Sequence, residues 1–143
     1  MFTMELTEKE RLMLVKKKEQ IQKLTSEILD TFEKITNLDQ MVEIKKKINH
    51  IISILSIIGS YAKPKMNLEY YESAANLIFY KLYLLERICQ LNPNSDSDWK
   101  DAIRTNIEEF CTHANAIQFE FTKSGIKIHI PKIEFSFLKQ EKF

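Results

Sequence analysis

The sequence predicts an α+β, predominantly α-helical protein. Its body resembles a four-helix bundle, made of a helical hairpin and two further helices, and a C-terminal antiparallel β-ribbon follows. Three observations predict this. Apolar residues recur at three- and four-residue steps over most of the first 116 positions. From Ile117 to Phe137 the period switches to two. The stretch from Ile48 to Ile58, I-N-H-I-I-S-I-L-S-I-I, is apolar in nearly every direction around a helix and so needs cover on most sides. Helices are expected at about 7–36, 39–59, 67–91 and 97–116 and the ribbon at about 117–138, in a single domain.

The first helix opens on Thr7 and Glu10, the spacing of a capping box. Leu14, Ile21, Ile28 and Ile35 then follow at strict seven-residue spacing, with Leu24 and Phe32 beside them. Lys17 and Thr31 occupy the alternate seam positions, so the stripe is narrow and suits either an intramolecular hairpin or a partner chain. Met41, Ile44, Ile48, Ile51, Leu55 and Ile58 form a second stripe. Wound as one continuous rod, the two stripes fall on nearly opposite sides. A break at Thr36-Asn37-Leu38-Asp39, where the polar residues are poor helix formers and good caps, lets both face one core. Gly59 is expected to end the second helix as its C′ residue, with Pro64 just beyond.

Asn67 is the expected N-cap of a third helix, in which Tyr71, Ala75, Ile78, Leu82, Leu85 and Cys89 share a face. Residues 91–98 read as a loop whose acids favour the start of a fourth helix, carrying Trp99, Ile103, Ile107, Phe110, Ala114 and Ile117. Ile117, Phe119 and Phe121 then alternate with polar residues, as do Ile126, Ile128 and Ile130 after Lys123-Ser124-Gly125, a three-residue hairpin loop. Pro131 and Lys132 suit a bulge, after which Ile133, Phe135 and Phe137 resume the alternation. The apolar face of this ribbon requires cover, from the fourth helix or from another molecule.

The chain has 143 residues, 44% of them apolar and 29% charged, as is ordinary for a globular protein. Its 21 basic and 20 acidic residues leave a net charge of +1, so no global field steers it to nucleic acid or anionic lipid. Cys89 and Cys111 fit small buried thiols in a reducing compartment. The first ten residues contain no apolar signal core. The isoleucine-dense stretch falls short of the ~20 residues needed to span a bilayer. A cytoplasmic protein with no membrane role is therefore expected. Plentiful Ile, Lys, Asn and Phe beside 2 Gly and 3 Pro is the bias of an AT-rich coding sequence, such as that of a low-GC microbe or phage.

Chemistry is sparse. Gly59 and Gly125 stand in no phosphate-binding context. Cys111 and His113 lie about 200° apart around their helix and do not face each other. Glu109 and His113, at i and i+4, suit a solvated pair better than a metal site. His50, amid isoleucines, reads as a hydrogen-bonded core or interface residue, and His129 as solvated. The acids of residues 94–98 fail the calcium-loop frame, since Trp99 replaces the glycine and Thr105 the closing glutamate. No cofactor, metal or catalytic residue is assigned.

The expected function is non-enzymatic binding of another protein, as an adaptor, an assembly factor or a phage- or mobile-element-encoded inhibitor of a host system. Candidate contact residues are Leu14, Ile21, Ile28, Ile35, Phe119, Phe121, Ile128, Phe135 and Phe137, with a homodimer through the first helix or the ribbon. One alternative is nucleic-acid binding through Lys16-Lys17-Lys18, Lys45-Lys46-Lys47, Lys63, Lys65 and the region from Tyr61 through Tyr70 to Tyr71. A second is a small enzyme or metal protein with a site near His113, drawing on Glu109 and Cys111.

Overall fold

The structure, a computed structural model, describes residues 6–61, 99–122 and 126–129. The expected helix at 67–91, Cys89, Lys63, Lys65, Tyr70, Tyr71, Phe135 and Phe137 lie outside the described residues. What is described is predominantly helical.

Helix α1 spans Glu8–Lys34. Thr7 caps it as expected: its hydroxyl accepts from the Glu10 N–H at 3.1 Å, and the Glu10 carboxylate accepts from the Thr7 N–H at 3.0 Å. The chain then leaves the helical region at Ile35, whose N–H still donates to the Thr31 carbonyl. A 3-10 turn, Leu38–Gln40, follows. Gln40 holds this corner together, its side-chain oxygen accepting from the N–H groups of Thr36 at 2.6 Å and Asn37 at 3.2 Å. Asn37 answers by accepting from the Gln40 N–H at 3.2 Å. The predicted break is thus a built turn, and it allows α2, Met41–Ser60, to return antiparallel along α1. Gln20 meets His50 and Glu27 meets Lys47, so positions that fall along one helix rise along the other.

Leu14, Ile21, Ile28, Phe32 and Ile35 of α1 pack with Met41, Ile44, Ile48, Ile51 and Ile58 of α2 in one buried cluster. Two expectations for α2 are corrected. It is not covered on most sides: Asn49, His50, Ser53, Ser56 and Ile57 are exposed along one face, and only the opposite face is buried. Winding at 100° per residue separates these groups, and the isoleucines at 48, 51, 54 and 58 are enough to form the inner face. Nor does Gly59 terminate the helix in a left-handed conformation. It lies inside α2, and no described glycine has positive φ. The last turn tightens instead, with the Tyr61 N–H donating to the Ile58 carbonyl at 3.1 Å.

Helix α3, Trp99–Ala116, corresponds to the fourth predicted segment. It adds Trp99, Ile103, Ile107, Phe110, Cys111 and Ala114 to the same cluster. Its first turn also serves α1. Lys100 donates to the carbonyls of Glu33 at 3.0 Å and Ile35 at 2.9 Å, groups that a helix end leaves without intrahelical partners. Arg104 pairs with Glu33, and Lys100 and Arg104 lie 5.2 and 5.3 Å from the Phe32 ring centroid.

Strands β1, Gln118–Phe121, and β2, Ile126–His129, pair antiparallel, with Phe119 opposite Ile128 and Phe121 opposite Ile126. The loop containing Gly125 lies outside the described residues. The Ile126 N–H donates to the Tyr61 carbonyl at 3.3 Å, tying the end of α2 to β2. Phe119 and Phe121 are partly buried against the core. Cover for them comes from α1, which the sequence reading did not anticipate. Arg11 stands 5.0 Å from the Phe121 ring and Lys18 5.8 Å from the Phe119 ring, while Arg11 also reaches the Thr122 carbonyl.

The one-sided burial of α2 has a direct test. Ile48→Ala, at a fully buried site, is expected to cost about 2–5 kcal/mol in urea denaturation. Ile57→Ala, at an exposed one, is expected to cost less than about 1 kcal/mol.

Candidate functional site

Of the reactive side chains identified in the sequence, Cys111 is drawn into the α1–α3 contact. The Asn115 side-chain amide donates to the Thr25 hydroxyl at 3.0 Å, and that hydroxyl donates to the Gln22 carbonyl at 2.8 Å. The Cys111 thiol approaches the Thr25 carbonyl at 3.7 Å. Cys111 is buried as expected, and desolvation, with a smaller contribution from the Glu108 charge, pushes its thiol up to about 12. A thiol held this strongly protonated is a packing group at neutral pH.

His113 corrects one expectation. It is buried at 1% exposure and is therefore not the solvated residue expected. The α3 face turned to the core is wide enough to include Asn106, Cys111 and His113 along with the apolar stripe. His50 is hydrogen-bonded as expected but not in the core: it is exposed, and its ring meets the Gln20 amide at 3.3 Å on the surface of the α1–α2 hairpin. Among the described residues no group of three His, Cys, Asp or Glu side chains is placed to hold a metal ion.

The lysine runs do not act as blocks. Lys47 pairs with Glu27 at 3.0 Å, and this hydrogen bond lowers the Glu27 carboxyl below its usual range. Lys46 reaches Glu43 at 3.6 Å on the open surface. Lys18 turns to Phe119, whereas Lys16 and Lys17 lie on the other flank of α1. Consecutive helical residues point about 100° apart, so a run of three divides among different neighbours. Tyr61, from the proposed stacking region, is partly buried against the core and caps α2.

Of the candidate contact residues, Leu14, Ile21, Ile28 and Ile35 are all at 5% exposure or less, covered by this chain's own helices. The seven-residue stripe serves the intramolecular alternative, and in this conformation it offers no surface to a partner. Phe119 and Phe121 are only partly covered, and Ile128 is placed by its backbone pairing opposite Phe119.

A surface that the seam pattern hid lies elsewhere on α1. Lys9, Leu12, Met13, Lys16, Lys17 and Gln20 line a groove of about 430 Å³. Leu12 is 56% exposed, and Val15, one turn along, is exposed as well. Lys9, Lys16 and Lys17 enter no ion pair among the described residues. The signal was present as Lys9, Leu12, Lys16 and Gln20 at steps of three and four, in a different phase from the buried stripe. No family model, curated protein or solved structure matches this chain.

The environment of Cys111 carries a pH dependence. Its folded-state value lies above the ordinary thiol value of 9.0, so the stability it contributes is intact below about pH 9 and lost as pH climbs toward about 12. In a Cys89→Ser background, labelling of Cys111 by a thiol reagent at pH 8 is expected to be on the order of 10³-fold slower in the folded protein than after unfolding. Alkaline denaturation midpoints compared with Cys111→Ala read the same shift as stability.

Proposed function

We propose that this protein works by binding another protein and carries out no catalysis of its own. The observation behind the proposal is the exposed apolar surface on α1. Leu12 and Val15 are adjacent on the helix, and Leu12 continues into a groove with Met13. Apolar side chains exposed in a contiguous set, with a charged rim, are the composition of a protein contact. Val42, Leu29 and Ile57 are also exposed. The placement of the lysines supports the same choice. Lys18, Lys46 and Lys47 are engaged with Phe119, Glu43 and Glu27, which leaves no run of three cations aligned along a phosphate backbone.

The β-ribbon is part of the same reading. With Leu14, Ile21, Ile28 and Ile35 enclosed, a homodimer through the α1 seam is not proposed. Pairing of a second strand-bearing molecule with the ribbon is retained as the route to self-association.

The test is affinity capture by the tagged full chain from a nuclease-treated lysate of the cell that encodes it, repeated with the purified captured protein. The expected result is one protein retained in stoichiometric amount, with binding that survives nuclease. Retention abolished by nuclease, or no protein binding with purified components, overturns the proposal. Electrophoretic shift of DNA and RNA at low salt is expected to be absent, and a shift that weakens steeply with added salt would favour the nucleic-acid alternative.

A further inference from the structure

We infer that the flank of α1 formed by Lys9, Leu12, Met13, Lys16 and Lys17 docks an acidic amphipathic helix of a partner protein. The inference rests on the protein-binding function proposed above and names the chemistry of the partner. Its basis is charge complementarity around an apolar floor. Leu12 is 56% exposed, and Met13 packs on the core below it. Lys9 lies three residues before Leu12, and Lys16 and Lys17 lie three and four residues after Met13. Cations therefore flank the apolar pair at both ends.

These three lysines stand together beside the exposed leucine with their charges uncommitted among the described residues. On other flanks of α1 and α2, Arg11 is engaged with Phe121, Lys18 with Phe119 and Lys47 with Glu27. Lys9, Lys16 and Lys17 make no ion pair among the described residues, and the nearby Glu10 carboxylate is held at the Thr7 N–H. Three ammonium groups left without carboxylates beside an exposed leucine are matched by a segment that brings carboxylates and apolar side chains together.

The dimensions fit a helix. From Lys9 to Gln20 the flank runs about 16 Å along the axis, three helical turns. A partner helix laid along it presents apolar residues at i, i+3, i+4 and i+7 to Leu12 and Met13, with glutamates on its edges toward the lysines. Gln20, at the far end of the flank, is fastened to His50 of α2 at 3.3 Å. Single-stranded nucleic acid is the weaker match, because the floor is leucine and methionine and offers no aromatic ring on which a base can stack.

The test titrates the full chain, isotopically labelled for amide NMR, with a synthetic leucine- and glutamate-bearing amphipathic peptide of three helical turns. Parallel titrations use the same peptide with lysine in place of every glutamate, and a single-stranded oligonucleotide. The expected result is amide shifts concentrated between Lys9 and Gln20, with a Kd on the order of 10–100 μM. Binding should weaken about tenfold or more in Leu12→Glu and in Lys16→Gln/Lys17→Gln, and stay unchanged in Lys46→Gln. The lysine-to-glutamine variant alters only exposed or half-exposed charges, so it reads the contact even where Leu12→Glu disturbs folding. No shifts at millimolar peptide, equal binding of the lysine peptide, or tighter binding of the oligonucleotide at the same residues each overturns the inference. A captured partner that binds the Lys16→Gln/Lys17→Gln variant as well as the unaltered chain removes this groove while leaving the protein-binding function standing.

Discussion

Leu14, Ile21 and Ile28 of α1 can meet Ile44, Ile48 and Ile51 of α2 only because the chain stops being helical between Lys34 and Met41. In an unbroken helix the two stripes point to opposite sides, and neither could bury against the other. The corner therefore decides the whole arrangement. It is made from local hydrogen bonds in which Gln40 and Asn37 satisfy backbone groups at the end of one helix and the start of the next. A few bonds worth about 1 kcal/mol each cannot hold a protein folded. They can select which of two compact arrangements the apolar burial stabilises.

Once the hairpin is set, the third helix completes it by chemistry suited to each end. At the α1 C-terminus the need is for donors, and Lys100 supplies one cation to two orphan carbonyls while Arg104 takes the Glu33 carboxylate. In the middle the need is for partners to buried polar groups, met by the Thr25–Asn115 hydrogen bond. Near the N-terminal half of α1 the aromatic rings of β1 meet Arg11 and Lys18, whose long stems cover apolar surface while their charges sit over ring faces. One helix, α1, thus meets α2, α3 and β1 by using different flanks along its 27 residues.

What could be read from the sequence was whatever local pattern alone decides. The Thr7–Glu10 box is complete within four residues, and the phase slip between the two stripes needs only helical winding, so both were legible. The end of α2 was misplaced because Gly59 permits a left-handed cap without requiring one, and a tightened last turn served instead. The burial of His50 and of His113 is not legible for a related reason. His50 is surrounded in sequence by isoleucines that project elsewhere, whereas His113 follows a polar series on a face that the tertiary contact happens to enclose. Side-chain environment depends on which neighbour arrives, and a single sequence does not record that.

The same distinction explains why the α1 groove was hidden behind the seam. A seven-residue repeat of leucine and isoleucine is conspicuous because it is strict, and strictness is what an internal hairpin demands. A contact surface made for a separate molecule must instead remain soluble when empty, so its apolar residues are few and stand beside charges. Leu12 and Met13 between Lys9 and Lys16 meet that condition. The regular stripe is enclosed, and the irregular, lysine-edged flank remains open. On α1 the strict repeat is therefore the part that is enclosed, and the open flank is the part that presents an apolar surface together with charge.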